Sequence, residues 1–269
     1  MNLSALANLF DSYNRVARLY PALLAIAPIL CSAIVVFPSF VSNIPRSAAA
    51  VFGLSCLAYF LASLARSRGK KIEEQLLSTW GGWPTTVMLR HRDGRIDPVT
   101  KARYHAALAA LCPGLTMPSA ADEQSAPSAA DDTYRSATKR LIEMRRGPEY
   151  PMLHRENASY GFRRNMLGLK SIALALAAIA ALVTALGWWA VVWPNPKWES
   201  VQASVVTYPY LPVLLAFDAG YFLLWAATIN ESFVRQAARE YAEALFRTLD
   251  TPFNPPKPRA SGTKGRYRA

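Results

Sequence analysis

The residues best suited to chemistry fall in one short run, His154-Arg155-Glu156-Asn157-Ala158-Ser159-Tyr160-Gly161-Phe162-Arg163-Arg164-Asn165, which mixes both charge signs with several planar hydrogen-bonding groups. Wound as a helix, the run puts Glu156, Tyr160 and Arg163 on one face and Asn157, Gly161 and Arg164 on the next. Arginines set this way can hold a phosphate in bidentate fashion, so one reading is a pocket for an anionic ligand such as a nucleotide. The other reading is an interfacial helix whose Arg and Tyr side chains grip lipid headgroups while Glu156 makes local ion pairs.

A second candidate is Asp218, a carboxylate inside an otherwise apolar stretch. A charge there is expensive enough to suggest a pore-lining or gating role. Alternatively, Ala219-Gly220 beside it admits a close neighbour that satisfies a neutral Asp218. The usual catalytic patterns are absent from the sequence: His91, His105 and His154 are far apart, Cys31, Cys56 and Cys112 have no metal-ligand spacing, and no phosphate-binding glycine loop, GxSxG elbow or HExxH is present. The expectation is a protein without enzymatic activity, metal or cofactor.

Whatever those residues do, lipid-spanning helices must position them. The chain has 269 residues, 52% hydrophobic and only 18% charged, which excludes a disordered tail protein, a collagen-like repeat and a disulfide-stapled module. Its apolar residues are gathered into four stretches of about the 20 residues that a membrane crossing needs. They are Leu19–Phe40, Ser47–Ala65, Ser171–Trp193 and Tyr208–Ile229. Lys and Arg number 2 before the first stretch, 1 in residues 41–46, 18 in residues 66–170, 1 in residues 194–207 and 8 after residue 229. With both termini cytoplasmic, 28 of the 30 lie inside, as positive-inside topology requires. Trp188, Trp189 and Trp193 then form an aromatic belt at the outer end of the third span.

The expected fold is therefore mainly α: a multi-pass inner-membrane protein with two transmembrane hairpins around a small helical cytosolic domain. That domain becomes α+β if Thr85–Arg90, β-branched and apolar, forms a strand before the Asp93-Gly94 turn. The divisions are 1–65 for the first hairpin, 66–170 for the cytosolic domain, 171–229 for the second hairpin, 230–250 for an amphipathic helix and 251–269 for a disordered basic tail. Within the domain, residues 66–79 extend the second span to the Trp80-Gly81-Gly82-Trp83-Pro84 stop, and Asp97-Pro98 starts a helix that Cys112-Pro113-Gly114 ends. Residues 113–130 read as a mobile linker, Ala129–Arg146 as a second helix, and the His154–Asn165 run as a helix feeding the third span. Glu231–Leu249 carries Phe233, Ala237, Tyr241, Leu245 and Phe246 on one apolar side and should dock on the domain. Ala173, Ala177, Ala181 and Ala185 recur every fourth residue, a small-residue stripe that lets helices approach closely, within one chain or between copies.

This plan resembles the multi-span effectors of bacterial anti-phage systems, including four-transmembrane proteins found beside cyclic-nucleotide synthases. The likeness rests on the two hairpins, the exposure to the cytosol alone and the string from Glu156 to Asn165. The resemblance implies a protein that oligomerises on a cytosolic signal, a nucleotide or a protein, and compromises the inner membrane. Its partners would be the lipid bilayer and copies of itself, with no specific nucleic acid. Two other classes stay open: a constitutive channel or transporter centred on Asp218, and a scaffold that the spans merely anchor.

Overall fold

The computed structural model describes residues 12–36, 48–193 and 196–250, and these form helices and turns with no strand among them. The tail 251–269, the end of the first apolar stretch and the start of the second lie outside the described residues. The helices are α1 (Ser12–Val36), α2 (Ala48–Trp80), α3 (Pro84–Val87), α4 (Pro98–Leu111), α5 (Ala120–Ser125), α6 (Pro127–Met144), α7 (Pro151–Val192), α8 (Trp198–Thr207), α9 (Tyr210–Thr228) and α10 (Glu231–Arg247). Three of them, α1, α7 and α9, are long and apolar enough to cross a membrane. Their outward residues, among them Leu30, Ile34, Leu182, Leu186, Val213, Leu223 and Leu224, are large, apolar and exposed. A water-soluble surface has no reason to gather such residues, and hydrocarbon tails suit them.

Helix α7 is the spine, packing along α1, α2, α9 and α10. Its buried face follows Ala173, Ala177, Ala180 and Thr184, while Ala181 and Ala185 are half-buried. A strict four-residue repeat drifts by about 40° per step on a helix of 3.6 residues per turn. The contact line therefore leaves the alanine stripe after one step, beyond Ala177.

Helices α2 and α7 cross closely at Gly69 and Gly168. A Cβ on Gly168 would lie 2.6 Å from both the Arg68 carbonyl carbon and the Gly69 nitrogen, so only hydrogen fits there. Next to it, Asn165 Nδ2 donates to the Ala17 carbonyl at 2.6 Å, inside a π-helical turn of α1 at Arg15–Leu19.

Helix α10 docks by the apolar side expected of it. Ala237, Leu245 and Phe246 are buried, with Phe233 and Tyr241 half-buried at the edges. Its C-terminal half closes a core with Met88, Leu89, Leu108, Tyr134 and Leu141, and its N-terminal half packs on Leu76, Trp80 and Tyr160.

Two local expectations need correction. Thr85–Arg90 forms no strand: Trp83 is extended, Pro84 occupies the first helical position, and the Thr86 and Val87 amides both donate to the Trp83 carbonyl. With no neighbouring strand to pair with, the segment satisfies its backbone locally and buries Met88 and Leu89. The stretch 113–130 is not a linker throughout. Ser119 and Asp122 make a reciprocal capping box that starts α5, and α6 begins at Pro127, two residues before the expected start. Between α7 and α9 lies α8, and Trp188 Nε1 donates to Ser204 Oγ of that helix at 2.9 Å.

Candidate functional site

Where α2, α6, α7 and α10 converge, a cavity of about 680 Å³ opens beyond the uncharged part of α7. Each wall has a local cause. Helix α2 supplies Lys70 and Glu73, three residues apart and thus on one face. The extended Trp83 and the proline-started turn after it supply Trp83, Pro84, Thr85 and Thr86. Helix α6 presents Arg135, Thr138, Lys139, Ile142 and Arg146, a three-to-four-residue spacing that aims them one way. It is held in that rotation by Arg90, whose Nε and Nη2 donate to the two Asp131 oxygens at 2.8 and 2.7 Å.

From α7 come Asn157, Tyr160 and Arg164. The sequence grouped these with Glu156 and Arg163, and the structure divides the set. Arg163 turns to α10, donating to the Phe233 carbonyl at 3.2 Å and to Gln236 Oε1 at 3.4 Å, with its guanidinium 4.7 Å from the Phe233 ring centre. Glu156 is half-buried on the same side of the helix and does not line the cavity. Arg163 therefore clamps two helices, and the ligand-facing set is Asn157, Tyr160 and Arg164.

Glu73 binds that set to α2. Its Oε1 accepts from Tyr160 Oη at 2.6 Å and from Arg164 Nη1 at 2.7 Å. Both charged side chains are nearly enclosed, with 11% and 12% of their surfaces exposed. Burial and then the Glu73 charge push the Tyr160 phenol well above its ordinary value. Burial alone would lower Arg164, but the charge and hydrogen bond of Glu73 outweigh it and the guanidinium stays protonated. Tyr241, on the α10 wall, is pushed up to about 12, chiefly by burial.

The wall thus carries five cationic side chains, Lys70, Arg135, Lys139, Arg146 and Arg164, against the single carboxylate of Glu73. Asp132 and Glu143 partly neutralise Arg135 and Arg146 through exposed pairs at 3.1 and 2.7 Å. The α2 and α6 residues were invisible as a site in the sequence. Only the Lys70–Glu73 spacing and the basic second half of α6 hinted at them.

Asp218 sits at the middle of α9, fully buried. Its Oδ2 accepts from Ser32 Oγ of α1 at 3.1 Å and Thr184 Oγ1 of α7 at 3.2 Å. Its Oδ1 has no hydrogen-bond partner among the described residues. The carboxyl therefore joins three helices from the inside of the bundle. At the C-terminal end of α9, Lys170 of α7 donates to the Ala226 and Ile229 carbonyls at 2.9 and 2.7 Å, capping the helix. Among the described residues no group of His, Cys, Asp and Glu is arranged to hold a metal ion. Compared with protein-family models, with curated proteins and with solved structures, the chain has no match in any of the three.

Proposed function

We propose that the protein is a four-span, signal-gated membrane effector: a ligand taken up on the cytosolic side shifts the juxtamembrane helices, and the bundle of this chain and its copies rearranges into a leak. In this reading the stretch Ser47–Ala65, which takes in the apolar first half of α2, is the remaining span. Both termini are cytoplasmic and the membrane is the bacterial inner membrane, as the Lys and Arg distribution favours. The resemblance of plan to anti-phage effectors is what supports a role in defence.

One observation carries the proposal. Helix α7 is unbroken over 42 residues, about 63 Å at 1.5 Å per residue, and bears both ends of the device. Near its start Asn157, Tyr160 and Arg164 line the cavity, and near its finish Thr184 donates to the buried Asp218. A rigid rod with a charged cavity at one end and a polar joint at the other can transmit a small displacement without an intermediate.

Controlled overexpression with a potential-sensitive dye tests the leak. At high copy number the minor open state is populated without ligand, so depolarisation and growth arrest are expected, with suppression by Asp218→Leu; a membrane potential that stays unchanged at high expression and also in cells challenged with phage would remove the effector reading. Topology is tested separately, in a chain whose Cys31, Cys56 and Cys112 are replaced by Ser. A membrane-impermeant thiol reagent applied to whole cells should label Gln202→Cys and spare Ser136→Cys.

A further inference from the structure

The proposed reading requires a trigger, and the cavity wall indicates its chemistry. We infer that the cavity seats a phosphate ester, with Lys70 and Lys139 as its principal cationic contacts and the Thr86 and Thr138 hydroxyls as further hydrogen-bonding groups. This inference rests on the cavity being the trigger site.

Two independent features point to it. The first is charge. Arg164 is already neutralised by Glu73, and Arg135 and Arg146 each share a carboxylate, whereas Lys70 and Lys139 form no ion pair among the described residues. The second is unmet hydrogen bonding. Thr86 and Thr138 are each only 3% exposed, both line the cavity, and neither Oγ1 has a hydrogen-bond partner among the described residues. Buried hydroxyls are normally paired, and two orphans on one cavity wall from separate helices are what a ligand with acceptor oxygens would satisfy. A phosphate offers several such oxygens together with the charge that the lysines need. Another part of the wall, Trp83, Pro84, Ile142 and Tyr241, is apolar or aromatic and suits an esterified organic group, with Asn157 beside it as a polar contact. Phosphate on such a group has two sources: a soluble nucleotide, or a lipid headgroup reaching in from the adjacent bilayer.

The test is binding to the full chain, scored apart from any leak. Thermal unfolding followed by tryptophan fluorescence is measured in a neutral detergent with ADP or with pyrophosphate, against sodium chloride of equal ionic strength. It is repeated without additives in nanodiscs of phosphatidylcholine with and without phosphatidylglycerol. Saturable stabilisation by ADP or pyrophosphate supports the inference with a soluble source, and stabilisation confined to phosphatidylglycerol supports it with a lipid source. Lys70→Gln with Lys139→Gln should weaken the effect roughly a hundredfold, about tenfold for each charge-assisted contact removed. Thr86→Val with Thr138→Val should weaken it about tenfold. The valine pair serves as the folding control, because removing orphan hydroxyls should leave the unliganded melting temperature unchanged or higher. No stabilisation by phosphate compounds or anionic lipid, or equal affinity in both double variants, overturns the inference. Binding without depolarisation overturns the effector reading alone. Depolarisation that persists in binding-dead variants overturns the assignment of the trigger while the effector stands.

Discussion

Glu73 of α2 and Arg164 of α7 meet at 2.7 Å where both helices leave their apolar segments, and each is almost closed off from water. A pair so enclosed costs much in desolvation, and its value shows when one member is lost. Glu73→Gln should strand the Arg164 charge and destabilise the protein by about 3 kcal/mol, while Glu73→Gln with Arg164→Gln should lose much less than the sum of the single changes. A double-mutant cycle on thermal unfolding in detergent reads the coupling. Additive effects would mean that the contact holds nothing together.

The second joint between these helices is steric. Gly168→Ala places a methyl group against the Arg68 and Gly69 backbone at 2.6 Å, and backbone cannot rotate aside as a side chain can. Overpacking of this kind costs about 1–3 kcal/mol, more than the roughly 1 kcal/mol that alanine gains over glycine in a helix. Gly220→Ala, which meets nothing within 4 Å, is the control and should be neutral or mildly stabilising. Equal melting temperatures for the two variants would show that α2 and α7 are not pressed together at Gly168.

Legibility in the sequence followed the range of the interaction. Helix α4, set by Asp97, Pro98 and Cys112, and the continuity of His154–Asn165 with the apolar run after it were both readable, because caps, prolines and hydrophobic periods act locally. The alanine stripe was readable as a pattern, but its true contact line, through Ala180 and Thr184, depends on where α1 and α9 lie. The strand at Thr85–Arg90 failed because β-branched residues indicate a strand only where another strand can pair, and the described residues contain none. Half of the cavity was hidden for a related reason. Lys70, Glu73, Thr86, Thr138 and Lys139 are separated by up to 94 residues from the α7 groups they face, and each looks ordinary by itself. A lone Glu156-to-Arg164 run therefore looked like the whole site.

Asp218, Ser32 and Thr184 give a third prediction. Two hydroxyls from α1 and α7 donate to one carboxyl oxygen, and Asp218→Asn keeps an acceptor there. That variant should stay within about 1 kcal/mol of the parent, in line with the modest strength of interhelical hydrogen bonds inside membranes. Asp218→Ala removes the acceptor and leaves both hydroxyls to pair elsewhere, so it should cost about 1–2 kcal/mol, and Ser32→Ala with Thr184→Ala beneath it should add little. Melting of the solubilised variants ranks them. If the Asp218→Asn protein falls as far as the alanine variant, the negative charge itself, rather than the acceptor, is what the bundle requires.

The domain next to the cavity should also report mild acid. His105 is 7% exposed, its Nε2 lies 2.9 Å from the Leu89 carbonyl, and its ring sits 4.9 Å from His91 and 5.5 Å from Tyr134. Burial pushes its pKa below 6.5, the Leu89 carbonyl opposes this, and the nearby His91 and Lys101 lower it further while Glu123 raises it. At pH above about 6.5 the ring is neutral in both the folded and the unfolded chain, so the full stability is present. As the pH falls below that value the unfolded chain takes up a proton that the folded one refuses. Stability then declines until the lower folded-state pKa is passed, and there it levels off. Glu123 acts in a lower range: burial would raise its pKa, but the His91 amide and the Tyr134 hydroxyl more than offset that and hold it below its usual value. Melting temperature should therefore drop between about pH 6.5 and 5.5 in the parent. It should stay nearly flat over that interval in His105→Gln, which keeps a donor for Leu89 but has no proton to gain. A parent whose melting temperature does not change across the interval would show that the ring accepts its second proton in place.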